Sequence, residues 1–257
     1  MSEGVLGSIL AATRRRIREG GYSPAQPAGS SPDGARFLSS LREPGTRILA
    51  EIKARSPSSG EILKNCDRKV ETLALTYRRG HAAAISVVTE RESFGGDPRW
   101  IERAKRISGL PVIMKDFVLE EMQLDFAASH GADAVLLLAA VVDDRLDFLI
   151  RAAELRGMAV LVETRSGEEI QRAAAAGAPA IGVNARDLRT FAVRLEDLVS
   201  LAPSIPPGCV RVAESGIGSR RDVETLAAAG YEAFLVGEAL LRSEEPEVLL
   251  RELRGDA

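Results

Sequence analysis

Apolar residues along this chain fall into short, continuous runs that are separated by longer stretches of mixed polarity. The runs are rich in β-branched residues and are apolar at consecutive positions rather than at alternate ones. Such continuity is typical of strands covered on both faces, as in a parallel sheet packed between helices. The pattern predicts eight strands, over Arg47–Ile52, Ala83–Thr89, Pro111–Phe117, Ala134–Ala140, Met158–Thr164, Ala180–Arg186, Val210–Ser215 and Ala233–Gly237.

The segments between these runs carry helix signals. Asp97-Pro98 offers an N-cap and a first helical residue, and Ser166 with Glu169 forms a capping box. Eight β-then-α units in 257 residues predict a (β/α)8 TIM barrel. An open doubly wound sheet is the rival, but we find no GxGxxG fingerprint for it. Glycines that suit helix C′ positions with positive φ precede the strands: Gly45, Gly80, Gly109, Gly131, Gly157, Gly177, Gly208 and Gly230.

Residues 1–45 precede the first strand, and we predict that they form an N-terminal helical extension to a catalytic barrel domain over residues 46–257. Residues 8–18 have the pattern of an amphipathic helix, and a loop rich in Gly, Pro and Ser follows over residues 20–34. Two placements stay open for this extension. It is either a plug or a disordered tail at the bottom of the barrel, or an extra helix near its mouth.

Composition narrows the class of protein. Lys and Arg number 34 against 37 Asp and Glu, a formal charge of −3, which argues against a nucleic-acid partner. The longest apolar runs are shorter than the roughly 20 residues of a membrane span, and no signal-peptide layout begins the chain. Cys66 and Cys209 are far apart and suit a reducing compartment. We therefore expect a cytoplasmic protein without a membrane partner, monomeric or weakly dimeric.

Charged and amide side chains stand at the C-terminal ends of most predicted strands, the barrel mouth, where TIM-barrel enzymes carry their active sites. Residues i and i+2 of a strand share a face, so Glu51 and Lys53 point into the barrel together. Lys115 with Phe117 and Asn184 with Arg186 are spaced in the same way. Interior ion pairs are the structural alternative, but convergence at one end favours a catalytic site. The predicted catalytic residues are Glu51, Lys53, Lys115, Glu163, Asn184 and Glu214.

Glycines at the last two strand ends favour a phosphorylated small-molecule ligand. Gly216, Gly237 and Glu238 follow strands seven and eight, where barrels often bind phosphate through backbone N–H groups. Ser56, after the first strand, adds a hydroxyl, although simple turn geometry would also explain the glycines. We find neither a Ser-His-Asp arrangement nor a metal-ligand cluster in the sequence, so we predict no metal and no cofactor.

Taken in order, these strand ends resemble the indole-3-glycerol phosphate synthase family, from residue 50 to about residue 242, and the N-terminal segment is similar to the family's extra helix. The resemblance is carried by Ala50-Glu51-Ile52-Lys53 with Ser56-Pro57-Ser58, Phe94-Gly95-Gly96, Lys115-Asp116-Phe117, Leu161-Val162-Glu163, Asn184 with Arg186-Asp187-Leu188, Glu214-Ser215-Gly216-Ile217 and Val236-Gly237-Glu238.

The resemblance implies a substrate, 1-(2-carboxyphenylamino)-1-deoxyribulose 5-phosphate, whose ring closure is followed by loss of carbon dioxide and water. It implies that Lys115 is the general acid and that Lys53 holds the anthranilate carboxylate. Glu163 would be the general base, with Glu51 beside it in the dehydration. The charge state of Lys115 depends on its neighbours. The implied binding residues are Asn184 and Arg186 for orientation, Phe94, Phe117 and Leu136 for the aromatic ring, and Ser56, Ser215, Gly216, Gly237 and the backbone N–H of Glu238 for the phosphate.

One loop departs from the family pattern, because Ser59 stands where many members carry lysine. Arg55 and Lys64 are candidates to replace that cation. The rival enzyme hypotheses are another phosphate-binding barrel, either a sugar-phosphate isomerase or a Schiff-base aldolase. The non-enzyme hypothesis is a barrel that serves as a binding module.

Overall fold

The computed structural model of the chain describes residues 4–25, 29–186 and 192–256. Eight parallel strands close into a barrel in which each strand pairs with its neighbours in sequence and the last pairs with the first. The predicted TIM barrel is thereby confirmed, and the open sheet is excluded. The strands are β1 (Arg47–Ile52), β2 (Ala84–Val88), β3 (Val112–Lys115), β4 (Ala134–Leu138), β5 (Ala159–Thr164), β6 (Ala180–Asn184), β7 (Val210–Glu214) and β8 (Ala233–Val236).

Helices cover the outside of the barrel and add an extension before β1. Short 3-10 turns at Asp143–Arg145 and Ala202–Ser204, and a hairpin of Arg55–Ser56 with Gly60–Glu61, complete the described elements. The helices are α1 (Val5–Arg18), α2 (Gly34–Arg42), α3 (Cys66–Arg79), α4 (Arg99–Ser108), α5 (Met122–Ser129), α6 (Ala139–Val142), α7 (Leu146–Glu154), α8 (Gly167–Ala175), α9 (Leu195–Leu201), α10 (Arg220–Ala228), α11 (Glu238–Arg242) and α12 (Pro246–Arg254).

The two predicted helix starts are present with small differences. Asp97 Oδ1 accepts the backbone N–H of Arg99 at 2.9 Å, and the helix begins at Arg99, one residue later than predicted. Ser166 caps α8 by accepting from the N–H of Glu169 at 3.2 Å. The Glu169 carboxylate, however, accepts from Arg165 N–H at 2.7 Å. The reciprocal half of the predicted capping box is therefore displaced by one residue.

Gly80 is the one helix-ending glycine of the eight for which the predicted positive φ is wrong. Its φ is −77°, and His81 instead takes the left-handed conformation with φ 59°. A Cβ built on Gly80 would lie 2.8 Å from Leu250 Cβ on α12. The glycine is therefore required by the close approach of α12 to the end of α3, not by its backbone conformation.

The N-terminal extension occupies both of the positions that the sequence left open, with one helix at the bottom of the barrel and one beside its mouth. At the bottom of the barrel, α2 buries Phe37 and Leu41 completely, in one cluster with the interior residues Leu49, Ile113 and Leu161. Full burial of such side chains stabilises the fold by about 1.5–3 kcal/mol each. The helix α2 is thus the plug that the sequence left open as one placement, although a helix over Gly34–Arg42 was not predicted.

The first helix lies at the opposite end, beside the barrel mouth. Arg15 pairs with Glu92 in the loop after β2 at 2.6 Å, and Arg16 Nη1 approaches Asp116 after β3 at 3.9 Å. The linker between α1 and α2 is fastened along the barrel wall, where Ala25 N–H donates to Ser129 Oγ at 3.0 Å. None of the helices in the described ranges combines the length and apolar character needed to cross a membrane.

Candidate active site

A cavity of about 340 Å3 opens at the C-terminal ends of the barrel strands. All nine side chains or glycines that were predicted to bind substrate lie in its wall, and so do five of the six predicted catalytic residues; the exception is Glu214. The predicted mouth is therefore one continuous site. The members of its wall that come from those predictions are Glu51, Lys53, Ser56, Phe94, Lys115, Phe117, Leu136, Glu163, Asn184, Arg186, Ser215, Gly216, Gly237 and Glu238.

Lys115, at the end of β3, is the centre of the charged cluster. Its Nζ lies 3.0 Å from Glu214 Oε2 and 3.6 Å from Glu51 Oε2. Burial favours the neutral amine, but the charges of Glu214, Glu51 and Glu163 outweigh it and raise the pKa of Lys115 above its usual value. The raised pKa favours the ammonium form of this side chain at neutral pH.

Glu51 and Lys53 share the interior face of β1 and its extension, as their spacing predicted. Lys53 Nζ lies 2.5 Å from Glu51 Oε1. Burial alone would raise the pKa of Glu51, but the nearby Lys53 and Lys115 prevail and lower it. Tyr77 Oη donates to the Glu51 backbone carbonyl at 3.0 Å and anchors this strand end from outside the barrel. Glu51 is therefore a carboxylate shared between two ammonium groups.

A second group of polar side chains, linked by hydrogen bonds, lies at the ends of β5 and β6. Asn184 Nδ2 donates to Glu163 Oε1 at 2.8 Å, which fixes the orientation of that carboxylate. Asn184 Oδ1 in turn accepts from Arg186 N–H at 2.9 Å. The Arg186 guanidinium reaches Ser58 Oγ on the far side of the cavity at 3.3 Å. The i, i+2 spacing of Asn184 and Arg186 thus places both residues at the cavity, as predicted.

Glu214 occupies a different depth from the other predicted catalytic residues. It is completely buried beneath Lys115, and its Oε1 accepts no hydrogen bond in the described part of the chain. Burial, reinforced by the neighbouring Glu163 and Glu51, raises the pKa of Glu214 to about 7 in spite of Lys115. Glu214 can therefore act on the Lys115 amine, but it does not offer a surface to a ligand.

The end of the cavity at which phosphate binding was predicted, here called the phosphate end, is formed by backbone in the left-handed region, which few residues other than glycine adopt readily. Ser215 and Gly216 have φ values of 69° and 79°, so two successive residues are left-handed. The Glu238 carboxylate accepts from Ser59 Oγ at 3.0 Å and from Arg242 Nε at 2.9 Å. Both contacts draw the carboxylate aside, which fits the expectation that Glu238 contributes its N–H rather than its charge.

Aromatic side chains form the apolar side of the cavity. The rings of Phe94 and Phe117 lie 6.2 Å apart at an angle of 38°, and Leu136 extends this wall. The Phe94 loop is held by Glu90, whose carboxylate accepts backbone N–H groups of residues 92–94 at 2.7–2.9 Å. Glu90 was not among the residues predicted from the sequence. Its position after β2, matching that of the other strand-end acids, was a signal that could have found it.

A comparison with known proteins identifies the family. The family model for indole-3-glycerol phosphate synthase matches residues 8–253. The chain belongs to this family. Indole-3-glycerol phosphate synthase 2 of Streptomyces coelicolor is 38% identical over 98% of this chain and 99% of its own length. Indole-3-glycerol phosphate synthase of Micrococcus luteus is 43% identical over 82% of this chain and 78% of its own length.

Solved structures agree on the fold. A 3-hexulose-6-phosphate synthase from Salmonella typhimurium superposes with a TM-score of 0.65 at 18% identity, over 81% of this chain and 97% of that one. Orotidine 5'-phosphate decarboxylase from Pyrococcus horikoshii gives a TM-score of 0.61 at 14% identity, over 81% of this chain and 99% of that one. At these identities the similarity concerns the barrel alone.

In the loop after β1, Ser59 stands where many family members carry lysine, and no other cation of this loop takes the place of that lysine in the cavity wall. The Arg55 guanidinium donates to the backbone carbonyl of Glu92 at 2.5 Å, and neither Arg55 nor Lys64 lies in the cavity wall. The expectation that one of them replaces the loop lysine is therefore not supported. Asp187 and Leu188, which belong to the family motif after β6, lie outside the described residues. Within the described ranges, no group of three or more His, Cys, Asp or Glu could hold a metal ion.

Proposed function

We propose that this chain is an indole-3-glycerol phosphate synthase, which converts 1-(2-carboxyphenylamino)-1-deoxyribulose 5-phosphate to indole-3-glycerol phosphate, carbon dioxide and water. The observation that carries the proposal is the Lys115 ammonium in the wall of the cavity, paired with Glu214 at 3.0 Å and with Glu51 at 3.6 Å. A proton donor held in this way suits a reaction that turns a ketone oxygen into a leaving hydroxyl group.

Ring closure is the first task of the site. The ring carbon that bears the carboxylate attacks the ketone carbon, and the ketone oxygen gains a proton to become a hydroxyl. Lys115 supplies that proton, because its pKa is raised by carboxylates and the amine remains protonated until the oxygen becomes basic. Lys53, 2.5 Å from Glu51, holds the substrate carboxylate until it leaves as carbon dioxide and the ring regains its aromatic electrons.

Dehydration is the second task, and it needs a base and an acid. The new hydroxyl departs as water after protonation, and a proton is lost from the adjacent ring carbon to form the indole double bond. Glu163 is placed for proton removal, because its carboxylate lines the cavity and Asn184 holds it at 2.8 Å. Lys115, once it has regained a proton from solvent, donates to the departing hydroxyl, and Glu51, which lies between Lys53 and Lys115, stabilises both ammonium groups.

The remaining residues bind and orient the substrate. Arg186 is directed across the cavity, and its contact with Ser58 places a cation near the substrate chain. The rings of Phe94 and Phe117 accept the aromatic ring, with Leu136 behind it. At the other end the phosphate is bound by the Ser56 hydroxyl and by backbone groups of Ser215, Gly216, Gly237 and Glu238.

The rival enzymes are less well supported by the same geometry. A Schiff-base aldolase needs an unprotonated amine as its nucleophile, whereas the raised pKa of Lys115 keeps that amine charged. A sugar-phosphate isomerase would use an aspartate or cysteine acid/base pair at the strand ends. Neither Cys66 nor Cys209 lines the cavity, and the Asp116 carboxylate, which does, already accepts from Tyr22 and Thr89. A pure binding module does not require a buried ammonium between carboxylates, an arrangement that costs desolvation energy.

The test is an indole fluorescence assay of the full chain with the carboxyphenylamino-deoxyribulose phosphate as substrate. We expect indole fluorescence to appear in proportion to enzyme concentration. Absence of product, under conditions in which a known family member is active, would refute the proposal. Borohydride treatment with the same substrate addresses the aldolase, because a reduced covalent adduct on Lys115 would establish Schiff-base chemistry instead.

Further properties are proposed from the composition of the chain and the position of its first strand. We propose the division into an N-terminal extension over residues 1–45 and a catalytic barrel over residues 46–257, which is consistent with β1 beginning at Arg47. We also propose a protein of the cytoplasm, monomeric or weakly dimeric, that binds no nucleic acid. The near-balance of charge and the two free cysteines support these statements. Gel filtration with light scattering tests the oligomeric state.

A further inference from the structure

We propose that Gly182 is a positioning residue for the reaction, because its missing side chain leaves the gap that accommodates the Glu214 carboxylate beneath Lys115. The inference rests on the proposed function and concerns a residue that the sequence analysis did not select. A Cβ built on Gly182 would lie 2.1 Å from Glu214 Oε1 and 3.2 Å from Glu214 Cδ. No real Cβ contact is that short, so an alanine here and the observed Glu214 position are mutually exclusive.

The backbone of Gly182 does not itself require glycine. The residue lies in the middle of β6, and it is absent from the residues with positive φ. An alanine would therefore suit the strand, and it would avoid the cost of about 0.5–1 kcal/mol that glycine imposes there. What an alanine would conflict with is the observed position of the neighbouring Glu214 carboxylate, and this points to a role in the site rather than in the strand.

Strand register explains why the gap is filled from the next strand. Gly182 pairs with Glu163 on β5 and with Val212 on β7, and Asn184, two residues later, pairs with Glu214. Residues 182 and 184 share the interior face. The Glu214 side chain therefore extends from β7 into the layer where residue 182 would otherwise place its own side chain, below the Asn184–Glu163 hydrogen bond.

Glu51, the second carboxylate that pairs with Lys115, also lies in space left by a glycine on a neighbouring strand. A Cβ on Gly237, at the end of β8, would lie 2.4 Å from Glu51 Oε1. Both carboxylates that form ion pairs with Lys115 are thus accommodated by a glycine on a neighbouring strand. Gly237 is also proposed to bind phosphate, so substitution there would have two effects. Gly182 provides the cleaner test.

The expected consequence of a methyl group at residue 182 follows from these contacts. The Glu214 carboxylate must rotate away, and its 3.0 Å pairing with Lys115 Nζ is lost or lengthened. Lys115 then keeps Glu51 as its nearer carboxylate, at 3.6 Å, and its orientation relaxes. Substrate binding through the aromatic wall and the phosphate end is untouched, so the effect should fall on kcat rather than on KM.

The first experiment measures kcat, KM and their pH dependence for Gly182→Ala and for the control Gly167→Ala. Gly167 begins α8, and a Cβ there would meet nothing within 4 Å. We expect Gly182→Ala to lower kcat by about 10²-fold with little change in KM, as for a small misplacement of a catalytic group. The alkaline limb of the kcat profile should move to lower pH, because Lys115 loses a carboxylate. The control should behave as wild type.

The decisive experiment is suppression. Glu214→Asp withdraws the carboxylate by one methylene group, so it should lower kcat in the wild-type background but raise it in the Gly182→Ala background. If Glu214→Asp lowers kcat in both backgrounds, or if Gly182→Ala retains wild-type kcat, the inference is overturned. These outcomes require an active wild type, and loss of wild-type turnover would instead refute the proposed function.

A stability cycle tests the gap without any activity. Gly182→Ala should lower Tm by about 5 °C in the wild type, as an overpacked site does, and by much less when Glu214→Ala has already emptied the gap. An equal fall in Tm in both backgrounds would show that the added methyl group meets something other than Glu214, which would also overturn the inference. The comparison of Tm values does not require the Gly182→Ala variant to be active.

Discussion

Tyr22 Oη donates a hydrogen bond to Asp116 Oδ1 at 3.2 Å, across 94 positions of sequence. Asp116 also accepts from Thr89 Oγ1 and from Phe117 N–H, each at 2.8 Å. It stands between Lys115, the proposed acid, and Phe117, a wall of the cavity. The linker that follows α1 is therefore hydrogen bonded to the side chain of the residue that lies between these two groups.

The surroundings of Tyr22 make this contact well defined. The Arg16 guanidinium lies 4.0 Å from the Tyr22 ring centroid, and Phe126 meets the same ring edge-on at 5.2 Å. Burial raises the pKa of Tyr22, and the charge of Asp116 adds to this effect, so the phenol stays protonated as a donor. A buried donor of this kind is positioned by packing on both sides of its ring.

Removing that hydroxyl with Tyr22→Phe should lower both stability and turnover. A net hydrogen bond contributes about 1 kcal/mol, so the free energy of unfolding should fall by about that amount. If the same amount, about 1 kcal/mol, is lost from the stabilisation of the transition state because Lys115 is less well placed, kcat should fall by about 5-fold, with KM changed less. Urea unfolding and the fluorescence assay measure the two effects.

Tyr231→Phe is the matched control. The Tyr231 hydroxyl is also buried, and it donates to the Leu198 carbonyl at 2.9 Å, away from the cavity wall. Its loss should cost similar stability but leave kcat unchanged. Equal effects of both variants on kcat would mean that Tyr22 acts through general stability rather than through Asp116.

The barrel and its mouth were predictable because they depend on local pattern. Continuous apolar runs fixed the strands, and the two-residue period placed Lys53 with Glu51 and Arg186 with Asn184 on the interior face. These relationships need only one strand and its immediate neighbours. The same reasoning could select the ends of strands as the site, since parallel strands bring those ends to one edge.

What the sequence could not give depends on contacts between distant segments. A plug was one of two placements left open by the sequence, and its formation by Phe37 and Leu41 follows from the closed bottom of the barrel. The Tyr22–Asp116 bond joins residues 94 positions apart. The depth at which each strand-end side chain lies in the barrel could not be predicted from the sequence either. Glu214 stands at a strand end like Glu163, but register and the gap at Gly182 place it beneath the cavity rather than in its wall.

Lys115→Met should abolish indole formation while preserving the fold. Loss of a general acid typically costs about 10²–10⁴-fold in rate, and methionine retains the aliphatic stem. Lys64→Met, at an exposed position outside the cavity wall, is the control and should retain full activity. Circular dichroism and thermal unfolding report the fold. Near-normal turnover by Lys115→Met would assign the proton donor elsewhere.

Ser59→Lys should strengthen substrate binding by restoring a cation to the loop after β1. Ser59 Oγ lies 3.0 Å from Glu238 Oε2 at the phosphate end, so a lysine there faces both that carboxylate and the incoming phosphate. We expect KM to fall by about 3-fold at low salt and the gain to vanish at about 1 M salt, where charges are screened within a few ångströms. Ser200→Lys on α9 is the control for net charge. An unchanged or higher KM would show that Ser59 does not weaken substrate binding relative to a lysine at this position.

Glu214 gives the barrel a stability that depends on pH with a definite sign. Burial raises the pKa of this carboxyl from 4.5 to about 7, so between these values the folded protein holds a proton that the unfolded chain has released. The slope of the unfolding free energy with pH is then negative, and wild type loses stability over this window relative to Glu214→Gln, which cannot ionise. Urea unfolding at pH 5 and pH 8 should show the difference shifting in favour of Glu214→Gln at the higher pH. A constant difference between Glu214→Gln and wild type across this range would mean that Glu214 is ionised throughout.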